Sequence, residues 1–218
     1  MDNGESNLIA GVITGDIVNS GGLSEEEHKN CLNSLERMIK ELSYLYEAKG
    51  DIFRGDEFQL FVPKCWMSLR CSIVLRLCIM KTVKNADARV SLGIGEYSNI
   101  ADELRKTAKG EAFELSGRGL SDLKDERLKI FSSKLDSDFD YLNLLVRHLD
   151  KIVTDLSQKQ AEVLIPKILY PEYTQEKISL ETKINRRTLS NRLQAANSIL
   201  IIDTVEFIEN ELKGYFKK

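Results

Sequence analysis

The chain of 218 residues is 42% hydrophobic and 30% charged with a net charge of -3, the make-up of a globular protein with room for one large or two smaller domains. Its bulk charge excludes a general polyanion binder, the lack of any apolar run of about 18 residues excludes a membrane span, and His28 and His148, far apart, exclude a histidine zinc site. Four cysteines without a Cys-x-x-Cys pair suit buried thiols in a reducing cytoplasm, and the polar, acidic start is no signal peptide.

In chain order, residues 8 to 14 read as a buried strand that runs into Gly15, Asp16, Ile17 and Val18. Asn19 to Gly22 is a loop. Ser24 with Glu27 forms a capping box, and Leu32, Leu35, Met38, Ile39 and Leu42 give the following helix one apolar stripe to about Lys49, where Gly50 ends it. Residues 51 to 62 alternate about Arg54, Gly55 and Asp56, the pattern of a hairpin with Asp56 lifted at its tip. A helix over about 66–84 uses Leu69, Ile73, Leu77 and Met80 as its inner face, and Arg89 to Gly95 alternates as a strand.

This order predicts an α+β fold, a ferredoxin-like sandwich built from split β-α-β units. The first and second strands should be parallel, with the third between them and antiparallel to both. Asp16 and Asp56 then meet at one sheet edge, as two hydrated loop carboxylates or as a pair with a cation between them; oxygen-only ligands favour Mg²⁺, Mn²⁺ or Ca²⁺. Beyond this, residues 100 to 109 look helical, and 110 to 120 continue as a helix despite Gly117 and Gly119, which suggest close approach of a neighbour. Residues 127 to 131 suit one more strand. The polar stretch 132–140 marks a boundary, giving domains 1–135 and 136–218.

Three stretches together resemble the class III nucleotide cyclase fold and, more closely, the SatD family: Gly15-Asp16-Ile17-Val18, Gly55-Asp56-Glu57-Phe58, and Arg89 to Gly95. The run from Gly110 to Arg118 has the spacing of the cyclase phosphate-arginine helix. The resemblance covers about residues 8–132. It implies metal (Mg or Mn) at Asp16, Asp56 and the Ile17 carbonyl, and a nucleoside triphosphate whose phosphates meet Arg118 and the Asn19, Ser20, Gly21 and Gly22 loop. Glu114 stands where the family has an asparagine, and Ile52 where it has a base-selecting lysine. The implied domain is a metal and nucleotide pocket rather than a working cyclase.

In the C-terminal third, residues 151–218 hold 11 Lys and Arg against 9 Asp and Glu. A connecting helix over 138–154 precedes one capped by Ser157 that runs to about Leu169. Thr174 then caps a short helix packed through Ile178, a turn falls near Lys183, and a second helix starts at Asn185 with Leu189, Leu193 and Ala196 inward. This pair resembles the helix-turn-helix of sigma-factor fourth regions; as pattern alone it is also a helical hairpin with a solvated charged face. The resemblance implies DNA contact by Thr174, Gln175, Asn185, Arg186, Arg187, Ser190, Asn191 and Arg192. A last amphipathic helix over 199–216 either completes the domain or pairs two chains. The expectation is a cytoplasmic, homodimeric bacterial regulator that binds DNA through these helices and senses a nucleotide with its N-terminal part. The alternative is a nucleotidyl cyclase or a related metal-dependent phosphotransfer enzyme.

Overall fold

The computed structural model describes residues 8–53, 55–98, 109–134 and 140–217. The expected helix over 100–109 falls almost wholly outside these residues, as do Arg54 of the hairpin turn and residues 135–139, where the expected domain boundary lies. The strands are β1 (Leu8–Ile17), β2 (Lys49–Phe53), β3 (Glu57–Val62), β4 (Ala88–Tyr97) and β5 (Leu128–Phe131). The helices are α1 (Glu25–Tyr46), α2 (Ser68–Thr82), α3 (Glu111–Asp122), α4 (Asp140–Thr154), α5 (Gln158–Leu169), α6 (Gln175–Thr182), α7 (Arg186–Ala195) and α8 (Ser198–Phe216).

The sheet order is β2-β3-β1-β4-β5. β3 is antiparallel to both β1 and β2, so those two are parallel with β3 between them, as the crossover argument requires. β4 flanks β1 on the other side, antiparallel, and β5 joins β4 in parallel. Because side chains alternate along a strand, β1 divides its residues between two faces. Ile13 and Ile17 enter the main core beside α1 and α2, whereas Ala10 and Val12 pack with Phe61 and Ala112 under α3.

Two glycines act at helix–sheet contacts. α3 lies so close to β4 that a Cβ on Gly93 would stand 2.3 Å from the Ala112 carbonyl oxygen. Gly119 meets Ser91 and Phe131 in the same way, the close approach expected there, while Gly117 faces open space. One expected boundary moves. α1 ends at Tyr46, with Glu47 left-handed at φ 57, and Gly50 is inside β2 rather than at the helix end. It is small because a Cβ would reach 2.6 Å from Leu60 and 2.9 Å from Ile39.

α2 differs most from its predicted one-sided stripe. Every residue from Ser68 to Met80 is buried, since the sheet lies on one side and α5 and α8 on the other. One hydrophobic cluster runs without a break from Ile13 of β1 through α2 to Val163 of α5, Leu189 of α7 and Ile208 of α8. The polar residues within it are paired. Arg70 donates to Glu209 of α8 through Nε (2.7 Å) and Nη2 (2.6 Å), and to the Ile168 carbonyl. Arg76, wholly buried, donates to Asp87, to Asp150 of α4 at 2.6 Å and to Thr154. All four cysteines are buried free thiols. Among the described residues no helix is long and apolar enough to cross a membrane.

Candidate functional site

β1 continues to Ile17, so Asp16 is a strand residue whose ladder partners are Glu57 on one side and Arg89 on the other. Its side chain lies on the same sheet face as Thr14, whose hydroxyl accepts from Gln59 Nε2 (3.1 Å) and donates to Ser116 of α3 (2.8 Å). Val18 leaves the strand with its N–H on the Asp87 carbonyl at 2.8 Å. Asn19 is left-handed at φ 53, and Ser20 to Gly22 close a short 3-10 turn. That turn carries Ser20 to the hairpin tip, where its hydroxyl donates to Asp56 Oδ2 at 2.5 Å. Gly55, at φ 79, supplies the left-handed backbone that places Asp56 there.

The register that sets Glu57 opposite Asp16 brings the two carboxylates to one corner, and a cation of the chain itself pairs with one of them. Arg89 meets Asp16 side-on, Nε at 3.0 Å from Oδ1 and Nη2 at 2.5 Å from Oδ2, a charge-assisted bidentate pair. The hydrogen-bonded Asp16 carboxylate holds the Arg89 guanidinium above its ordinary range, with a smaller pull from Asp56. The pair is half open to solvent, with side-chain exposures of 41% for Arg89 and 18% for Asp16. The charge of Asp16 is thus already compensated, while Asp56 accepts from Ser20. Among the described residues no group of three or more His, Cys, Asp or Glu side chains is arranged to hold a metal ion. Asp16, Asp56 and the Ile17 carbonyl fit a divalent ion only in exchange for Arg89, because both Asp16 oxygens face that guanidinium.

The other residues expected at this site are placed differently. Arg118 lies on the solvent side of α3, where its guanidinium is 3.7 Å from Glu114 one turn away and both side chains are 72% exposed. In the 19–22 turn the Gly22 N–H is spent on the Asn19 carbonyl, and Leu23 donates to Ser20, so not all of the loop's backbone donors face outward. Arg89 is the residue that sequence reasoning missed. Its signal was an arginine opening a strand antiparallel to β1, two residues before the first buried polar position, Ser91.

The second candidate surface is the α6–α7 pair. The Thr174 side chain caps α6 through the Lys177 N–H, and Asn185 caps α7 through the Thr188 N–H at 2.9 Å. Both predicted DNA contacts are thus engaged by their own helices. Lys183 makes the turn in left-handed conformation at φ 56, and the Ser179 hydroxyl pins it by donating to the Ile184 carbonyl at 2.6 Å. Ile178, Leu189 and Leu193 face the core. Gln175, Arg186, Arg187 and Asn191 are exposed, and Ser190 is half-buried. Arg192 turns inward and pairs with Glu162 of α5 at 2.9 Å, which fixes α7 against the helical core instead of offering that charge outward.

No family model matches the chain, and no curated protein does. Among solved structures it is similar to the guanylyl cyclase Cya2, at 17% identity and a TM-score of 0.40, over 56% of this chain and 74% of that one. It is likewise similar to a bacterial light-regulated adenylyl cyclase, at 16% identity and a TM-score of 0.37, over 56% and 75% of the two chains. In another structure described in the same way, the match spans 43% of the solved chain, with a TM-score of 0.39.

Proposed function

We propose that this protein is a bacterial DNA-binding regulator that contacts duplex DNA through α7. The observation that carries this reading is the α6–turn–α7 unit. It has a capped second helix, a left-handed turn residue, an apolar face of Leu189 and Leu193, Arg186 and Arg187 exposed at its start, and Asn191 exposed at mid-helix. The N-terminal turn of a second helix is the part that enters a major groove in such pairs, with arginines serving phosphates and guanine edges. Within this reading the chain is a homodimer, placing two such helices on half-sites about 34–36 Å apart. Selection from a random duplex library should enrich one sequence with the wild type and none with Arg186→Ala/Arg187→Ala. Enrichment unaffected by the double substitution would remove α7 from the contact.

A second reading has its own support, the convergence of Asp16, Asp56, Ser20 and Arg89 at one half-open corner. We propose a nucleotide site there, in a ferredoxin-like, cyclase-type sandwich that serves as the regulatory half. Asp16 and Asp56 would hold Mg²⁺ or Mn²⁺, which would supply positive charge toward the phosphates. The chain's own contribution is to position Asp56 through Ser20 and to let Arg89 move from Asp16 to the phosphates. A ligand that binds only the folded state raises the unfolding midpoint. ATP or GTP with either metal should therefore raise it in the wild type and not in Asp16→Asn/Asp56→Asn. An equal rise in both would place the nucleotide elsewhere.

A further inference from the structure

A second cleft, of about 500 Å³, lies on the far side of Asp87, where the ends of α2 and α4 meet the start of α5. Its size falls within the range of small-molecule sites. Its lining is cationic: Lys84 after α2, Arg127 before β5 and Lys159 in the first turn of α5. Among the described residues neither Lys84 nor Lys159 has a carboxylate at ion-pair distance. Arg127 gives one N–H to Asp87 at 2.6 Å and is about one-third exposed, which leaves further donors of its planar fork toward the cleft.

The one carboxylate among the described lining residues is Asp87, which pairs with Arg127 and leaves Lys84 and Lys159 uncompensated. It is 2% exposed and already accepts from Arg76 and Arg127. The helix ends reinforce the sign. The Ser157 to Lys159 start of α5 opens into the cleft and presents the positive end of a twelve-residue helix. The opposing carbonyls at the end of α2 are covered, because the Gln158 side-chain amide donates to Lys81 O at 2.9 Å and Thr82 O at 3.3 Å. Three cations, a helix N-terminus and a hollow that holds more than an inorganic ion define the ligand by chemistry.

We propose that this cleft binds a small phosphate-bearing anion, held by Lys84, Lys159 and Arg127. Such a ligand would tie the start of β5 to α5 and so join the sheet to the helices that carry α7. The site is independent of the Asp16 corner, which faces the other side of the sheet.

Pyrophosphate is the probe, titrated into the full chain by calorimetry and thermal unfolding at constant ionic strength. Wild type and Asp16→Asn/Asp56→Asn should both bind it with a raised midpoint. Lys84→Ala/Lys159→Ala, at exposed positions that the fold does not use, should bind at least tenfold more weakly. Absence of binding by the wild type at millimolar pyrophosphate would overturn the proposal, as would equal binding by the lysine variant. Binding lost only in the aspartate variant would place the anion at the corner and overturn it as well, without touching the nucleotide reading.

Discussion

Two sets of charged residues sit within a few residues of each other along β4, and they do opposite things. Asp87, just before the strand, belongs to a buried network in which wholly buried Arg76 bridges Asp87 and Asp150, with the part-exposed Arg127 as a second cation at its edge. Arg89, two residues on, faces the other side of the sheet and meets Asp16 where water reaches both. Sealed charges are satisfied by fixed partners, and their loss leaves an uncompensated charge in the core. Half-open charges keep exchangeable partners. The division falls at the entry to the strand: Asp87 precedes β4 and pairs with Arg76 of α2, whereas Arg89 lies within β4 beside Asp16.

The largest effect should come from breaking the sealed network. Arg76→Ala leaves Asp87 and Asp150 without their main partner and should cost about 3–5 kcal/mol in urea unfolding. A loss near zero would mean that this network is as solvated as the Asp16 corner, and the contrast would fail.

The buried thiols of the same helix sharpen the comparison by pH. Burial pushes Cys78 of α2 and Cys65 beside it up to about 12, and Cys71 higher still, from an ordinary value of 9.0. A thiol whose folded pKa is raised contributes stability that is fully present below its unfolded value and is lost as pH rises toward the folded one. Stability should therefore fall between about pH 9 and 12, by up to about 1.4 kcal/mol per pH unit for each such thiol. At pH 8 a thiol-specific reagent should label none of the four cysteines until denaturant is added; rapid native labelling would show that α2 is not sealed.

The smallest stability effect belongs to the corner. Asp16→Asn removes one charge of a half-exposed pair and should cost about 1 kcal/mol or less, while abolishing any midpoint rise with metal and nucleotide. A cost as large as that of Arg76→Ala would make Asp16 another structural ion.

Much of this was legible in the sequence because it is local or periodic. Ser24 with Glu27 marked the start of α1, the alternation of residues 57–62 marked β3, and the Gly55-Asp56 turn placed its carboxylate at the hairpin tip. The order of the first three strands followed from element order, with β3 between β1 and β2. What the sequence did not expose is pairing between distant residues. The register that sets Arg89 opposite Asp16 spans 73 positions, and nothing near either residue announces it. α2 looked one-sided because its far face is covered by helices about 90 to 140 residues later in the chain. The turn of α6–α7 was visible, yet the inward pairing of Arg192 with Glu162 was not, because an arginine on a polar helix face reads alike in either orientation.

The proposed DNA contact at the exposed start of α7 can be measured directly. The direct measurement is fluorescence anisotropy of a labelled mixed-sequence duplex titrated with the full chain at several salt concentrations. Binding should weaken as salt rises, and Arg186→Ala/Arg187→Ala should flatten the log–log slope by about 0.9 for each phosphate that is no longer neutralised. No binding at low salt, or an unchanged slope in the double variant, would rule out DNA contact by α7.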